Sequence, residues 1–187
     1  FMGPCFGTIL RRVRKNKHTK IVAITDNVIP HEHRPGDMAF TKYFLKSADA
    51  FLAMSKDVLK DLKQFTDKPS VFSPHPVYDN YGNAVSREEA CKKLGLNPNE
   101  KYILFFGFIR KYKGLDLLLD AMKDERIKQA GIRLIVAGEF YGDGDSYIQQ
   151  IQNNGIIDSV KLFTEFIPND EIKYYFSATD LVVQPYR

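Results

Sequence analysis

The chain has 187 residues, of which 44% are hydrophobic and 27% charged, and its formal net charge is +4. This composition is typical of a globular protein and excludes a disordered tail. No apolar run approaches the roughly 20 residues that cross a bilayer, and the apolar start lacks the basic region of a signal peptide. Cys5 and Cys91 are too few for a disulfide framework and lack metal-ligand spacing. We therefore expect a reduced, cytoplasmic protein of one domain or two small ones.

A basic segment lies near the amino terminus, at residues 11–20. Its cations are Arg11, Arg12, Arg14, Lys15, Lys17 and Lys20. Such a cluster binds nucleic acid or an anionic membrane surface, or it is only the solvated face of a helix. We expect no nucleic-acid partner, because 27 basic residues oppose 23 acidic ones and no zinc spacing, RNA-binding signature or helix-turn-helix pattern occurs. Peripheral contact with the inner face of an anionic membrane stays open.

Short apolar segments rich in β-branched and aromatic residues predict strands. They lie at 21–25, 50–54, 102–108, 133–137, 160–163 and 181–183. Most do not alternate with polar residues, which is typical of parallel strands with helices on both faces. Between them, apolar residues at helical spacing predict amphipathic helices, as for Leu115, Leu118, Leu119 and Met122. This alternation indicates an α/β fold with a doubly wound parallel sheet.

Turn-forming residues at 76–83 (PVYDNYGN) interrupt the pattern. Beyond them, Ser86 followed by Glu89 predicts a capping box that opens a helix, and Gly95 ends that helix. A second series of strands then starts. We therefore divide the chain into domains at 1–80 and 84–187. Each has only three or four predicted strands, fewer than a complete doubly wound domain.

The loop after the strand 102–108 is the strongest candidate site. It begins at Gly107, carries Arg110 and Lys113, and leads into a helix. Parallel α/β sheets bind ligands at the carboxyl ends of their strands, and a helix N-terminus favours phosphate. Arg110 adds a fork of donors and Lys113 a point charge. The alternative is that these cations, with Lys111, only make a loop soluble.

Two further loops follow strands at the same predicted edge. The strand 133–137 leads to Gly138, where backbone can approach a ligand closely, and to Glu139, which either accepts from ligand hydroxyls or caps a turn. The run 142–145 (GDGD) lacks the rest of a calcium loop and predicts a turn followed by a helix cap. The strand 160–163 leads to Thr164 and Glu165. We expect these residues to complete one crevice.

The order of these segments resembles the group 1 (family four) retaining glycosyltransferases. The resemblance to the carboxyl-terminal domain of that family lies in residues 106–121 (FGFIRKYKGLDLLLDA), 134–138 (LIVAG), 160–165 (VKLFTE) and 178–186 (ATDLVVQPY). The resemblance to its amino-terminal domain lies in residues 26–32 (DNVIPHE), 34–37 (RPGD) and 51–55 (FLAMS).

The resemblance implies a GT-B fold, in which two Rossmann-like domains face each other. Residues 1–80 would be the second half of the acceptor-side domain, and residues 84–187 the first half of the donor-binding domain. The implied reaction moves a hexose from a nucleotide-diphosphate sugar to a glycan or lipid-linked acceptor with retention, without metal or cofactor. The implied diphosphate site consists of Gly107, Arg110 and Lys113. The implied nucleotide site consists of Gly138, Glu139, Thr164 and Glu165.

The chain departs from the family pattern in two places. Many relatives have arginine directly after the first glycine of the phosphate loop, where this chain has Phe108, so Arg110 is the expected substitute. Many also have histidine where this chain has Asp26, which could accept a hydrogen bond or a proton near the reacting groups. His31 is a second catalytic candidate. The alternative is that His31 and His33 only shape the cleft.

Two parts of the family pattern would fall before Phe1 and beyond Arg187: a glycine-rich loop, and paired acidic residues that hold the donor. We therefore expect the chain by itself to bind nucleoside diphosphate weakly and to catalyse poorly. Two other interpretations stay open. One is a non-catalytic α/β binding or scaffold module, and the other is a sugar-nucleotide epimerase of the GT-B fold.

Overall fold

The computed structural model describes residues 3–30 and 35–187 and divides the chain into two compact units, Phe1–Val77 and Tyr78–Arg187. Each unit has its own sheet and its own hydrophobic core. The assignment of residues 1–80 and 84–187 to the two halves of a two-domain enzyme stays a prediction.

The described part of the first unit is a three-stranded parallel sheet with helices. Its elements are α1 (Gly3–Val13), β1 (Val22–Thr25), α2 (Asp37–Leu45), β2 (Ala50–Ala53), α3 (Lys56–Lys63) and β3 (Ser70–Phe72). The strands lie in the order β1-β2-β3. β1 and β2 confirm two predicted strands, with slightly shorter bounds. β3 was not predicted, because a three-residue strand gives too short an apolar pattern.

The core of the first unit lies on one face of its sheet. Ala23 and Phe51 are paired across β1 and β2 and pack with Leu62 of α3. On the opposite face, Val22 and Ile24 are 63% and 69% exposed. Within the described residues, β1 therefore contributes to a core on only one of its two faces, although its sequence is apolar on both.

The described part of the second unit is a four-stranded parallel sheet in the order β6-β5-β4-β7. Its elements are α4 (Arg87–Leu94), β4 (Lys101–Phe106), α5 (Leu115–Ala121), α6 (Glu125–Gln129), β5 (Ile132–Ala137), α7 (Asp145–Asn153), β6 (Val160–Phe163), α8 (Ile172–Ala178) and β7 (Leu181–Val182). Each named strand of this sheet was predicted from its apolar run. β4 ends at Phe106, two residues earlier than predicted.

Helices cover both faces of the second sheet, which confirms the predicted α/β fold. Adjacent residues of β4 point to opposite faces. Phe105 packs in a core with Leu119 of α5, whereas Leu104 packs in a second core with Tyr175 of α8. Each core also contains alternate residues of β5, with Leu134 and Val136 in the first and Ile135 and Ala137 in the second. The non-alternating sequence of β4 is thus explained by burial on both sides.

The ends of α4 follow from its sequence. The Ser86 hydroxyl accepts a hydrogen bond from the Glu89 backbone N–H at 3.2 Å, as the predicted cap requires. Gly95 ends the helix in the left-handed conformation, with φ of 66°.

Asp180 ties β4 to both β7 and α4. One of its oxygens accepts the Tyr102 backbone N–H at 2.8 Å, and the Arg87 guanidinium donates to both oxygens at 3.0 and 3.2 Å. Burial would raise the pKa of this carboxyl, but the Tyr102 N–H and Arg87 outweigh burial and lower the pKa. The ionised form of Asp180 is therefore the one that stabilises β4.

We predict that Asp180→Ala lowers the free energy of unfolding by about 1–2 kcal/mol, because the Tyr102 N–H and Arg87 lose their acceptor. Since the folded pKa of Asp180 is lowered, this contribution is present above the ordinary value of 3.8 and is lost as the pH falls below it. Urea denaturation across this pH range measures both effects. Asp170→Ala, at an exposed position, is the control. Equal stability losses in the two variants would contradict the role of Asp180.

Candidate functional site

Three loops leave the second sheet at one edge. β4, β5 and β6 are aligned so that Phe106 lies opposite Ala137, and Ala137 lies opposite Phe163. The predicted site residues Gly107, Gly138 and Thr164 are the next residues along each strand. The structure therefore brings the starts of all three predicted loops together at the carboxyl edge, where parallel sheets bind ligands.

Gly107 and Gly138 contact each other through backbone alone. The Gly107 N–H donates to the Ala137 carbonyl at 2.9 Å, and the Gly138 N–H donates to the Phe163 carbonyl at 2.8 Å. Gly138 has φ of 130°, and a Cβ added there would lie within 2.7 Å of the Gly107 carbonyl carbon. No side chain larger than hydrogen fits at Gly138. The backbones of the two loops therefore pack directly against each other at this edge.

Lys113 lies above this glycine edge. Residues Lys111–Lys113 form a short 3₁₀ turn, and Gly114, with φ of 74°, leads into α5. A Cβ added to Gly107 would lie 3.2 Å from the Lys113 Nζ. The turn therefore folds the ammonium group back over the end of β4.

Arg110 and Lys113 form a pair of cations. Burial lowers the pKa of Lys113, and the nearby charge of Arg110 lowers it further. The Arg110 guanidinium lies 3.8 Å from the centre of the Tyr141 ring, as in a cation–π contact. Among the described residues, neither cation has an ion pair with an acidic side chain. An anionic ligand would relieve their mutual repulsion.

Tyr141 was not predicted as part of the site. It follows Glu139 in the loop after β5, and its backbone N–H donates to the Ile109 carbonyl at 3.0 Å. An isolated bridge between Ile109 and Phe140 extends the pairing of these two loops past the sheet. This pairing places Tyr141 beside Arg110, a relation that no sequence spacing reveals.

Glu139 lies at the same edge and is half-buried. Its backbone carbonyl accepts the Ile109 N–H at 2.9 Å. Within the described part of the chain its carboxylate makes no hydrogen bond or ion pair. The turn expected further along this loop is stabilised by Asp143, whose Oδ1 accepts the Asp145 N–H at 2.9 Å, but the N-cap residue of α7 is Gly144, which makes no side-chain cap.

Thr164 and Glu165 line a cleft of 310 Å³ beyond the end of β6. Thr164 is half-buried and Glu165 is exposed. The wall includes Glu171 and the ring of Tyr175. The cleft thus offers hydroxyl and carboxylate acceptors beside an aromatic surface.

The segment after β7 braces the loop between Gly107 and Gly114. The Gln184 side-chain Nε2 donates to the Phe106 carbonyl at 2.6 Å. The Arg187 N–H donates to the Tyr112 carbonyl at 2.9 Å, and a Cβ added at Gly114 would clash with the Pro185 carbonyl. We call residues 183–187 the brace. The sequence indicated that the brace follows the carboxyl end of a strand, but it did not indicate which residues the brace contacts.

The two predicted catalytic residues belong to the first unit. Asp26 is exposed and directly follows β1. His31 lies outside the described residues. Their catalytic roles stay predictions.

Across residues 3–30 and 35–187, no group of at least three His, Cys, Asp or Glu side chains could hold a metal ion. No helix in these ranges has the length and apolar character needed to cross a membrane.

We predict that Gln184→Ala loosens the loop between Gly107 and Gly114, because the Phe106 carbonyl loses its side-chain donor. Native-state hydrogen exchange should show the Lys113 and Gly114 amides exchanging roughly fivefold to tenfold faster, as expected for the loss of one hydrogen bond. Gln149→Ala, at an exposed position of α7, should leave these rates unchanged. Equal rates in the two variants would show that Gln184 does not hold the loop.

Comparison with known proteins gives a family and a fold. The family model described as "Glycosyl transferases group 1" matches residues 86–187. The D-inositol 3-phosphate glycosyltransferase of Segniliparus rotundus is 35% identical over 99 residues, which is 51% of this chain and 22% of that protein. The chain thus spans about a fifth of the length of this relative.

Two solved structures share the architecture. Sucrose-phosphate synthase from Thermosynechococcus elongatus superposes with a TM-score of 0.78 at 17% identity, over 96% of this chain and 48% of that one. HepE of Anabaena, solved in complex with UDP-glucose, superposes with a TM-score of 0.75 at 17% identity, over 96% of this chain and 51% of that one. These likenesses show the GT-B fold. Since the family model covers more than half of the residues, the chain belongs to the group 1 glycosyl transferases.

Proposed function

We propose that the second unit binds the donor for a glycosyltransferase that moves a hexose from a nucleotide-diphosphate sugar to a glycan or lipid-linked acceptor with retention. In this reaction the bond between the anomeric carbon and the phosphate oxygen breaks, and a glycosidic bond forms to the acceptor oxygen. The acceptor loses a proton and the nucleoside diphosphate leaves. Family membership supports sugar transfer, whereas donor, acceptor and stereochemistry belong to the proposal.

The observation that carries the proposal is the pair of cations at the glycine edge. Arg110 and Lys113 have no acidic partner among the described residues, and burial lowers the pKa of Lys113. A diphosphate would supply the missing negative charge. Its charge increases as the bond to the sugar breaks, so the two cations would stabilise the transition state more than the bound donor.

The backbone of the edge supports the same ligand. Gly107 has no side chain on the side that faces the Lys113 Nζ, so a diphosphate could lie against the main chain beside this ammonium group. The charge of Arg110 is near enough to lower the pKa of Lys113. The proposal assigns charge neutralisation to these cations and requires no metal ion or other cofactor.

The cleft beside Thr164 and Glu165 is proposed to hold the nucleoside. Its 310 Å³ falls at the lower end of the usual range for small-molecule sites, roughly 300–1,000 Å³. Glu165 and the Thr164 hydroxyl can accept from base N–H groups or ribose hydroxyls. Glu139, at the neighbouring strand end, can accept from hydroxyls of the donor. The UDP-glucose complex of HepE supports a uridine donor as the first to test.

Asp26 is proposed to act in the first unit as the acceptor of a hydrogen bond or proton from the reacting groups. His31 is the second candidate for this role. Because the chain spans only part of the length of its relatives, donor binding rather than sugar transfer is the quantity to measure first.

We predict that UDP or GDP binds this chain with a dissociation constant on the order of 0.1–1 mM, since two favourable cations must offset the ordering of the ligand. Isothermal titration calorimetry in the presence of EDTA measures the affinity. Lys113→Met should weaken binding by at least about tenfold, as expected for one charge-assisted contact to phosphate.

Lys111→Met is the matched control, because Lys111 is exposed in the same 3₁₀ turn and should contribute little. The Lys113 variant should also unfold at a higher temperature near neutral pH. The lowered pKa of Lys113 means that its charged form is disfavoured in the folded state, and this cost fades as the pH rises toward 10.5. No heat with either nucleotide, or equal losses in both variants, would contradict the diphosphate site.

A further inference from the structure

A second cleft of 290 Å³ lies within the second unit, between residues 78–84 and α8. We call it the aromatic cleft. It shares no lining residue with the cleft proposed for the nucleoside. The two clefts use neighbouring faces of α8, because Glu171 and Tyr175 line the nucleoside cleft, whereas Ile172 and Phe176 line the aromatic cleft. The reaction proposed above does not use it.

Three aromatic side chains line the aromatic cleft. The rings of Tyr78 and Tyr81 lie 6.0 Å apart, with an angle of 32° between their planes. Tyr78 and Phe176 are 58% and 44% exposed. The Phe176 ring also packs edge to face with Phe106 of β4, with ring centres 5.1 Å apart. Rings that are exposed in a concave surface can stack on a ligand.

Residues 78–84 are held against α8 without any ligand. Gly82 turns with φ of 80°, and a Cβ added there would lie 3.6 Å from the Lys173 Cδ. The turn therefore lies against the side chain of Lys173. The Val85 N–H donates to the Ser177 hydroxyl at 3.3 Å. Because the cleft exists before binding, a ligand avoids the cost of ordering this segment.

Polar groups accompany the rings in the lining of the aromatic cleft. Within the described residues, the Asp79 carboxylate makes no hydrogen bond or ion pair. The Lys173 ammonium makes neither in this part of the chain and lies 5.3 Å from the centre of the Tyr174 ring. The O–H of Ser177 has no acceptor among the same residues. The cleft thus offers a carboxylate acceptor, an ammonium donor and a hydroxyl donor beside an aromatic surface.

We propose that the aromatic cleft binds a neutral hexopyranose unit. The C–H groups on one face of the sugar would stack on the rings, and its hydroxyls, which both donate and accept, would pair with Asp79, Lys173 and Ser177. The volume lies just below the usual range for small-molecule sites, roughly 300–1,000 Å³, and suits one or two sugar rings. The binding rests on the proposed function, in which a glycan acceptor carries such units.

Other ligand classes match the aromatic cleft less well. A phosphate group would meet the Asp79 carboxylate as well as the Lys173 ammonium, so its net electrostatic attraction would be small. An acyl chain would contact the rings but would leave both charged groups without partners. A sugar unit uses the rings and the polar groups together.

Saturation-transfer difference NMR with the methyl glycosides of glucose, galactose, mannose and N-acetylglucosamine tests the proposal. We expect at least one glycoside to bind with a dissociation constant on the order of 1–10 mM, as expected for a small ligand with few contacts. The backbone amide shifts of Gly82, Lys173 and Ser177 should change on binding. Binding of none of the four, or shift changes confined to other residues, overturns the proposal.

Variants of two lining residues test stacking and hydrogen bonding separately. Phe176→Leu keeps an apolar side chain without the ring and should weaken binding at least about fivefold, whereas Phe176→Tyr should bind like the unaltered chain. Asp79→Ala removes the carboxylate acceptor and should weaken binding by a similar factor. Glu88→Ala, at an exposed position of α4, is the control for lost charge. Equal affinities of the two Phe176 variants, or equal effects of the two charge variants, overturn the proposal.

Separate titrations distinguish the aromatic cleft from the donor site. Lys113→Met should retain glycoside binding, and Asp79→Ala should retain UDP binding. UDP binding without binding of any glycoside overturns the sugar site alone, whereas glycoside binding without UDP binding overturns the donor site alone. Shift changes at the cleft with decanoate, but with no glycoside, overturn the sugar site in favour of an acyl chain. Thermal unfolding verifies that each variant is folded.

Discussion

The backbone contact between Gly107 and Gly138 is the constraint on which the candidate site depends. β4 and β5 end in register, and the first residue after each strand touches the other without a side chain between them. The loop after β4 can then fold back and place Lys113 above the edge. The loop after β5 pairs with Ile109 and places Tyr141 beside Arg110. A side chain at Gly138 would separate the two loops and remove both arrangements.

This arrangement of two cations destabilises the folded protein when no ligand is bound. Lys113 is half-buried beside a second cation, and burial disfavours its charged form. The cation–π contact of Arg110 with Tyr141 offsets part of the cost. A diphosphate would neutralise the two cations and remove their repulsion. Its binding free energy would therefore be more favourable than at a loop whose cations are fully hydrated.

The sequence predicted the parallel α/β fold because buried parallel strands are apolar on both faces and their helices repeat at regular spacing. It also predicted the three loops at the carboxyl edge, since this edge follows from strand direction alone. It could not predict Tyr141 or Gln184, whose partners depend on how separate loops cross in space. α1 shows the same limit. The contact of its Gly7 with the Tyr43 ring of α2 joins residues that are far apart in the sequence, so no local pattern predicts it.

Burial and the charge of Arg110 lower the pKa of Lys113, and a bound anionic ligand should raise it again. NMR of the lysine side chain, followed through a pH titration with and without UDP, tests this claim most directly. The account predicts that Lys113 titrates below the ordinary value of 10.5 in the free chain and that UDP raises its pKa. A Lys113 pKa that stays unchanged at saturating UDP would contradict the account.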